Sequence, residues 1–278
     1  MSSTHVTISE KLRETEQLFS KAGIPSPRLD AEVLLAYALD VDRTYLHAHA
    51  TDTLQGSTLQ KFEKLVERRL RREPVAYITG RKEFYGREFI VTPDVLIPRP
   101  ETEELVELIL RSQVSGLRSS VLDVGCGSGC IGITLKLEQP EMNVTLSDIS
   151  PEALGVAKRN AEKLGATVGL IESDLLSQSL PSEISFDIIV ANLPYVDKDW
   201  ETSPETEHEP ALSLYADNHG LELIDRLIKQ SSRVLDKHGW LFLEADPEQH
   251  DSITTTTSRH GLQPVEIQGY AMSFVRQA

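Results

Sequence analysis

A chain of 278 residues, 40% hydrophobic and 26% charged, is long enough for one large domain or for a small and a medium one. No stretch approaches the roughly 20 apolar residues that span a bilayer, and Met1 to Glu10 is polar, without the basic region and apolar run of a signal peptide, so a cytoplasmic protein with no membrane partner is expected. The net charge of -15 opposes binding to phosphate backbones, and the two cysteines, Cys126 and Cys130, are too few for a disulfide framework and lack further ligands at zinc spacing; two small buried residues and no metal are expected.

The first third reads as helical. Ile8, Leu12 and Phe19 fall on one face of a helix over Ile8 to Lys21. Ser26-Pro27 reads as an N-cap followed by proline at the first helical position, opening a helix from Arg28 to Leu39. Leu59 to Leu70 is amphipathic, with Leu59, Phe62, Leu65, Val66 and Leu70 on one side. Its basic residues Lys61, Lys64, Arg68, Arg69, Arg71 and Arg72 alternate with Glu63, Glu67 and Glu73, which predicts a solvated face with a Glu67–Arg71 pair. From Val75 to Pro100 the β-formers Tyr77, Ile78, Phe84, Tyr85, Phe89, Ile90 and Val91, broken by Gly80 and Gly86, predict a hairpin or meander linking two domains. Glu101 to Arg111 returns to helical spacing.

After Ser119 strand and helix alternate. Strands are predicted at Val121 to Val124, Val144 to Asp148, Val168 to Ile171, Phe186 to Ala191 and Trp240 to Leu243, and helices at Ile131 to Glu138, Ser150 to Leu164 and Leu221 to Leu235. A long irregular loop fills Asn192 to about Asn218. Pro264 to Ile267 and Met272 to Val275 have no helix-length gap between them and should pair antiparallel at one edge. The pattern is that of an α/β domain with a mostly parallel sheet, whose ligands bind at the carboxyl ends of the strands.

Two such strand ends carry candidate chemistry. The first reads Asp123-Val124-Gly125-Cys126-Gly127-Ser128-Gly129. Its glycines allow a sharp turn and close approach to a ligand. Alone it fits either a tight strand-to-helix turn or a nucleotide site; the dinucleotide fingerprint would place its last glycine at Cys130. The next strand ends at Asp148, at roughly the 20-residue distance of a ribose-binding carboxylate. Asp148 could also be a helix cap, although Ser150 before Pro151 is the better one. Loop and acid together suggest an adenosine-containing cofactor, with Asp174, at the third strand end, placed to accept from an adenine amino group or to be an ordinary loop acid.

The second is Asn192-Leu193-Pro194-Tyr195, directly after Phe186 to Ala191. A planar N–H2 is a poor nucleophile because its lone pair is delocalised. The Asn192 side-chain carbonyl and the Leu193 backbone carbonyl can accept its two N–H bonds as positive charge builds, a fixed-dipole form of catalysis. Pro194 stiffens the turn and Tyr195 offers a flat face for a planar acceptor. An Asn-Pro turn of no function is the bland alternative, weakened here by the neighbouring glycine loop.

These motifs, with Phe84-Tyr85-Gly86, Leu96-Ile97-Pro98-Arg99-Pro100-Glu101-Thr102-Glu103, Glu209-Pro210-Ala211-Leu212 and Gly220-Leu221, resemble the protein-(glutamine-N5) methyltransferases of the HemK/PrmC family over nearly the full chain. The resemblance implies a Rossmann-like class I methyltransferase domain over 101–278, a helical substrate-docking domain over 1–74 and a β-hairpin linker over 75–100. It implies S-adenosyl-L-methionine as cofactor and S-adenosyl-L-homocysteine as product, with Asp123, Gly125, Cys126, Gly127, Ser128, Gly129, Asp148, Ile149, Asp174, Leu175 and Asn192 around them. The substrate it implies is the glutamine of the Gly-Gly-Gln motif in class 1 peptide chain release factors, held by Asn192, Leu193, Pro194 and Tyr195 with Arg99 and Glu101 near the mouth. A monomer that binds no nucleic acid directly goes with it. Two positions depart from the family: Leu193 replaces its usual proline, and Glu244-Ala245-Asp246 replaces a Glu followed by His and Gly. Asn-Leu-Pro-Tyr is also similar to the motif of ribosomal RNA adenine N6-dimethyltransferases. An adenine N6-methyltransferase of RNA or DNA, acting on a flipped base, is therefore the alternative activity, and a non-catalytic S-adenosylmethionine-binding module the alternative without one.

Overall fold

Helix α1 (Ile8–Lys21) begins at a reciprocal cap: Thr7 Oγ1 accepts from Glu10 N and Glu10 Oε2 accepts from Thr7 N. In this computed structural model, which describes residues 6–112, 119–177 and 185–277, Met1 to His5 of the polar N-terminus lie outside the described residues. Helix α2 (Pro27–Leu39) starts where the Ser-Pro pair predicts, yet Ser26 Oγ donates to Asp30 Oδ1 at 2.7 Å and caps no backbone N–H. Helix α3 (Arg43–Ala48) had no clear sequence signal beyond its Asp42 cap. It joins α4 (Gly56–Leu70) and α5 (Val75–Thr79) around a core that includes Phe19, Leu34, Leu35, Leu46 and Phe62. Val75–Thr79 is thus helical, not extended as its β-formers predict. Pro74 sets the entry of a single short turn, and burying Tyr77 and Ile78 outweighs their strand preference.

The chain divides into two units, Met1–Gly80 with Ser203–His208, and Arg81–Thr202 with Glu209–Ala278. Within the first, the basic face of α4 is not simply solvated. Arg69 is only 4% exposed and ion-pairs with Asp30 at 2.7 Å and Glu205 at 2.9 Å, while Arg72 also reaches Glu205. Arg68 pairs with Glu73; these contacts replace the expected Glu67–Arg71 pair among the described residues.

The second unit opens on a hairpin of β1 (Arg81–Phe84) and β2 (Arg87–Ile90), whose Phe84 and Phe89 rings meet edge to face at 6.0 Å. Helix α6 (Thr102–Arg111) follows. Then come β3 (Ser120–Val124), α7 (Cys130–Glu138), β4 (Asn143–Asp148), α8 (Pro151–Leu164), β5 (Gly169–Glu172), β6 (Phe186–Ala191), α9 (Glu222–Val234), β7 (Leu235–Glu244), α10 (His250–Arg259), β8 (Leu262–Gln268) and β9 (Ala271–Arg276). Helix α10 is Thr-rich with few large apolar residues, so its period is weak in the sequence; Ile253 and Thr257 are what it buries.

The sheet order is β5-β4-β3-β6-β7-β9-β8. Strands β3 to β7 run parallel and β9 is antiparallel to both β7 and β8, the predicted antiparallel edge. The chain winds outward from β3 to β5, then crosses back to β6. The adjacent carboxyl ends of β3 and β6 form the switch point where doubly wound sheets bind ligands. Strand β6 is anchored by Ile188, Ile189 and Val190, all 0% exposed, each contributing roughly 1.5–3 kcal/mol by burial.

Candidate active site

The glycine loop leaves β3 and is folded against the end of β4. Asp148 Oδ2 accepts from Gly127 N and its Oδ1 from Ser150 N, both at 2.9 Å, while Cys126 N donates to Ser147 O. Ser150, not Asp148, caps α8, with its Oγ accepting from Ala153 N at 3.1 Å. Asp148 therefore stays half-buried at the strand end, able to face a ligand. Gly125 sits at φ +69°, and a Cβ there would stand 2.9 Å from Leu193 Cδ2. The two motifs are therefore packed against each other, one from β3 and one from β6.

Below the loop, Asp123 is 1% exposed. Its Oδ2 accepts from Gly132 N at 2.9 Å, and its Oδ1 is buried without a partner. Burial raises its carboxyl to about 7, against the pull of the Gly132 N–H, with the Asp148 charge adding to the rise. Both cysteines are free and buried, and burial pushes the Cys130 thiol up to about 12 and the Cys126 thiol well above its usual value. Neutral, they serve as small lining groups. Among the described residues no group of three His, Cys, Asp or Glu could hold a metal ion.

A cavity of about 300 Å³ runs along this switch point. Of the predicted cofactor residues, Gly125, Cys126, Gly127, Ser128, Asp148, Ile149, Asp174, Leu175 and Asn192 line it, joined by Leu193, Pro194 and Arg99. Asp123, Gly129, Tyr195 and Glu101 do not. Asp174 has its Oδ2 engaged by Arg226 Nη2 at 2.7 Å. Arg99 donates to the buried Glu209 at 2.5 Å, and Glu209 Oε2 also accepts from Ile97 N at 3.2 Å. Glu209 is 7% exposed, so this pair ties the segment before α6 to the long loop.

The tetrapeptide has its own supports. Asn192 Nδ2 donates to Thr102 Oγ1 at 3.1 Å, leaving its carbonyl as the available end of the amide. Tyr195 is turned back, with its ring against the apolar cluster behind β6 and its hydroxyl on Glu244 Oε1 at 3.4 Å. Burial, and then the Glu244 charge, raise its phenol. The Tyr195 carbonyl accepts from Gln249 Nε2 at 2.8 Å, which also donates to His219 O. The long loop is correspondingly not structureless: Val196 N donates to Leu214 O and Ala216 N to Val196 O, with short 3₁₀ turns at Pro204–His208 and Ala211–Ser213.

Sequence reasoning missed four of these groups as site residues. Thr102, Glu209 and Glu244 entered only as letters in the resembling motifs, and Gln249 did not enter at all. Only the pairing of distant strand ends could have exposed their roles.

The chain is similar to known proteins in both units. Residues 10–80 match the PrmC N-terminal domain and residues 102–209 the methyltransferase small domain. A release factor glutamine methyltransferase of Koribacter versatilis is 42% identical over 250 residues, spanning 87% of this chain and 89% of that protein. One of Leptospira interrogans is 39% identical over 264 residues, spanning 92% of each. Among solved structures, a T. thermophilus 16S rRNA N2 methyltransferase in complex with AdoMet and guanosine superposes with a TM-score of 0.54 at 19% identity, over 71% of this chain and 50% of that one, a likeness of fold.

Proposed function

From the premise that this chain belongs to the release factor glutamine methyltransferase family, we propose that it methylates the side-chain amide nitrogen of the Gly-Gly-Gln glutamine in class 1 peptide chain release factors, using S-adenosyl-L-methionine. The observation that carries the site assignment is the Asn192 amide, fixed through its nitrogen on Thr102 with its oxygen left to accept, at the β6 end that packs on the glycine loop.

The residues present suit the cofactor. Gly125, Gly127 and Ser128 bring backbone to the cavity wall, Asp148 offers a carboxylate at ribose distance, and Ile149, 50% exposed on that wall, offers an apolar face for a base. The buried, unpartnered Asp123 Oδ1 beneath the loop suits a cationic or N–H group. When bound, the cofactor supplies an electrophilic methyl group on a sulfonium. The chain itself holds the nucleophile. Asn192 Oδ1 and the Leu193 carbonyl accept the two amide N–H bonds, raising electron density on nitrogen and stabilising positive charge as the new bond forms. Leucine at 193 leaves that backbone carbonyl in place. The surplus proton leaves to water afterwards, and the product is S-adenosyl-L-homocysteine. Helical residues 1–74 dock the release factor, 75–100 link and 101–278 catalyse; the enzyme acts as a cytoplasmic monomer without metal or direct nucleic-acid contact. The acidic charge of -15 supports a protein substrate over a nucleic acid.

Incubation with radiolabelled S-adenosylmethionine, purified release factor and ribosomal RNA tests this. Label should enter the release factor and be lost when its Gly-Gly-Gln glutamine is replaced; label in RNA alone would overturn the proposal. Asn192→Ala should lower kcat by about 10²-fold or more while cofactor affinity changes little. Full turnover in that variant would remove Asn192 from the role of amide clamp.

A further inference from the structure

Gln249 is 5% exposed and lies outside the cavity, in the 3₁₀ turn Pro247–Gln249 between β7 and α10. Backbone groups engage both polar atoms of its side chain. Nε2 donates to the Tyr195 carbonyl and to the His219 carbonyl, each at 2.8 Å, and Oε1 accepts from Asp246 N at 3.2 Å. A carbonyl only accepts and a backbone N–H only donates, so these three partners fix which way round the amide sits. The turn in its place is held by a reciprocal cap, with Asp246 Oδ1 accepting from Glu248 N at 2.9 Å.

The two carbonyls belong to opposite ends of the long loop. Tyr195 closes the tetrapeptide, and His219 lies in a run of left-handed backbone, Asn218, His219 and Gly220 at φ +56°, +55° and +79°. Such a run is unfavourable for the two residues that carry side chains and persists only where its surroundings hold it. Gly220 packs so closely that a Cβ there would run into the Tyr195 carbonyl and stand 2.5 Å from Gln249 Nε2. Beside this joint Val196 N donates to Leu214 O, Ala216 N donates to Val196 O, and His219 Nδ1 lies 2.8 Å from Asp197 Oδ2. One buried side chain thus ties the start of the loop to its end, and the loop between them puts Pro210, Leu212 and Ser213 into the cavity wall.

The consequence for the reaction runs through a short, stiff stretch. The Leu193 and Tyr195 carbonyls are two residues apart, and the ring of Pro194 between them locks its φ. The Tyr195 side chain is held separately, by the apolar cluster and by its hydroxyl on Glu244 Oε1 at 3.4 Å. With its ring and its carbonyl both held, Tyr195 leaves the Leu193 carbonyl little freedom. Resting on the methyltransferase reading, we propose that Gln249 is a positioning residue for methyl transfer: it clasps the base of the loop and, by holding the Tyr195 carbonyl, keeps the Leu193 carbonyl aimed at the substrate N–H2. None of its hydrogen bonds reaches the glycine loop or Asp148, so the cofactor side of the cavity does not depend on it.

The test uses the full chain in two variants. Gln249→Met keeps the length and removes both donors. Gln249→Glu keeps an acceptor for Asp246 N and turns its other oxygen on the two carbonyls. Active sites are counted by calorimetric binding of S-adenosyl-L-homocysteine, so that any unfolded fraction drops out of the comparison. Per counted site both variants should lose about 10- to 100-fold in kcat on release factor, while the KM for S-adenosylmethionine and the Kd for S-adenosyl-L-homocysteine stay within about twofold of the parent. Hydrogen exchange at the Val196 and Ala216 amides should quicken by about tenfold or more, while the Gly132 amide, bonded to Asp123, keeps the parent rate. Parent turnover per counted site in both variants would overturn the proposal, as would unchanged protection of Val196 and Ala216. Turnover lost in step with S-adenosyl-L-homocysteine affinity would also overturn it, by reducing Gln249 to general support of the fold. Should neither variant fold, Gly220→Ala, which presses on the same Tyr195 carbonyl, takes their place with the same readouts and the same refuting results. Absence of methyl transfer to release factor in the unaltered protein would defeat the functional reading instead, and the exchange rates would still decide whether Gln249 clasps the loop.

Discussion

Asn160 of α8 is 0% exposed and makes three hydrogen bonds that hold the hairpin to the glycine loop. Its Oδ1 accepts from Ile90 N at 2.7 Å, and its Nδ2 donates to Ile90 O and to Ser128 O, each at 2.9 Å. Asn160→Ala strands one donor and two acceptors in the interior. At about 1 kcal/mol per bond, and more for each group left without a partner, the loss should be about 3–5 kcal/mol, a large part of the roughly 5–15 kcal/mol that holds a domain folded. Urea unfolding followed by circular dichroism reads it as a lowered midpoint. Cofactor affinity should fall as well, because Ser128 lies in the cavity wall. Asn160→Asp refines the reasoning. The carboxylate keeps an acceptor for Ile90 N but turns its other oxygen on two carbonyls; protonated, it can donate to one of them. Its stability deficit should therefore be smaller in acid and grow as pH rises. A loss below about 1 kcal/mol for Asn160→Ala, or an Asn160→Asp deficit that does not change with pH, would refute this account of the joint.

Other perturbations address the walls of the same site. Gly220→Ala would place a Cβ 1.9 Å from the Tyr195 carbonyl at a φ of +79°; strain on backbone rather than on a side chain predicts a loss of about 1–3 kcal/mol and a fall in kcat, read by thermal melting and by turnover. A melting point equal to that of the parent would show that the loop yields there. Asp123 carries a carboxyl raised from 3.8 to about 7, so its ionisation costs stability as pH climbs through that range and costs nothing below it. Asp123→Asn without cofactor should accordingly melt higher than the parent at pH 8 and nearly level with it in acid, while binding S-adenosylmethionine more weakly; parallel pH profiles for the two proteins would contradict the raised carboxyl.

Much of this protein is written in local order. The parallel sheet follows from short apolar runs such as Phe186 to Ala191 alternating with capped helices, because each segment's burial pattern repeats with its own period. The glycine loop, Asp148 and Asn192 to Tyr195 are legible for the same reason: each is a contiguous signal at a strand end. What was not legible depends on where burial falls in three dimensions. Tyr77 and Ile78 have strand preferences that yield to a buried helical turn after Pro74, and Arg69 leaves solvent because Asp30 and Glu205 meet it from remote parts of the chain. The same holds within the site. Nothing adjacent to Asn192 tells which end of its amide faces the cavity; that depends on Thr102, 90 residues earlier, and Glu244 adjoins Tyr195 only because β6 and β7 pair in register. Sequence by itself determined which atoms the chain offers for chemistry, since residue type and strand-end position suffice for that. The tertiary structure alone decided how those atoms are oriented and at what pH they are charged, because both depend on the desolvation and the hydrogen-bond partners that folding brings from afar.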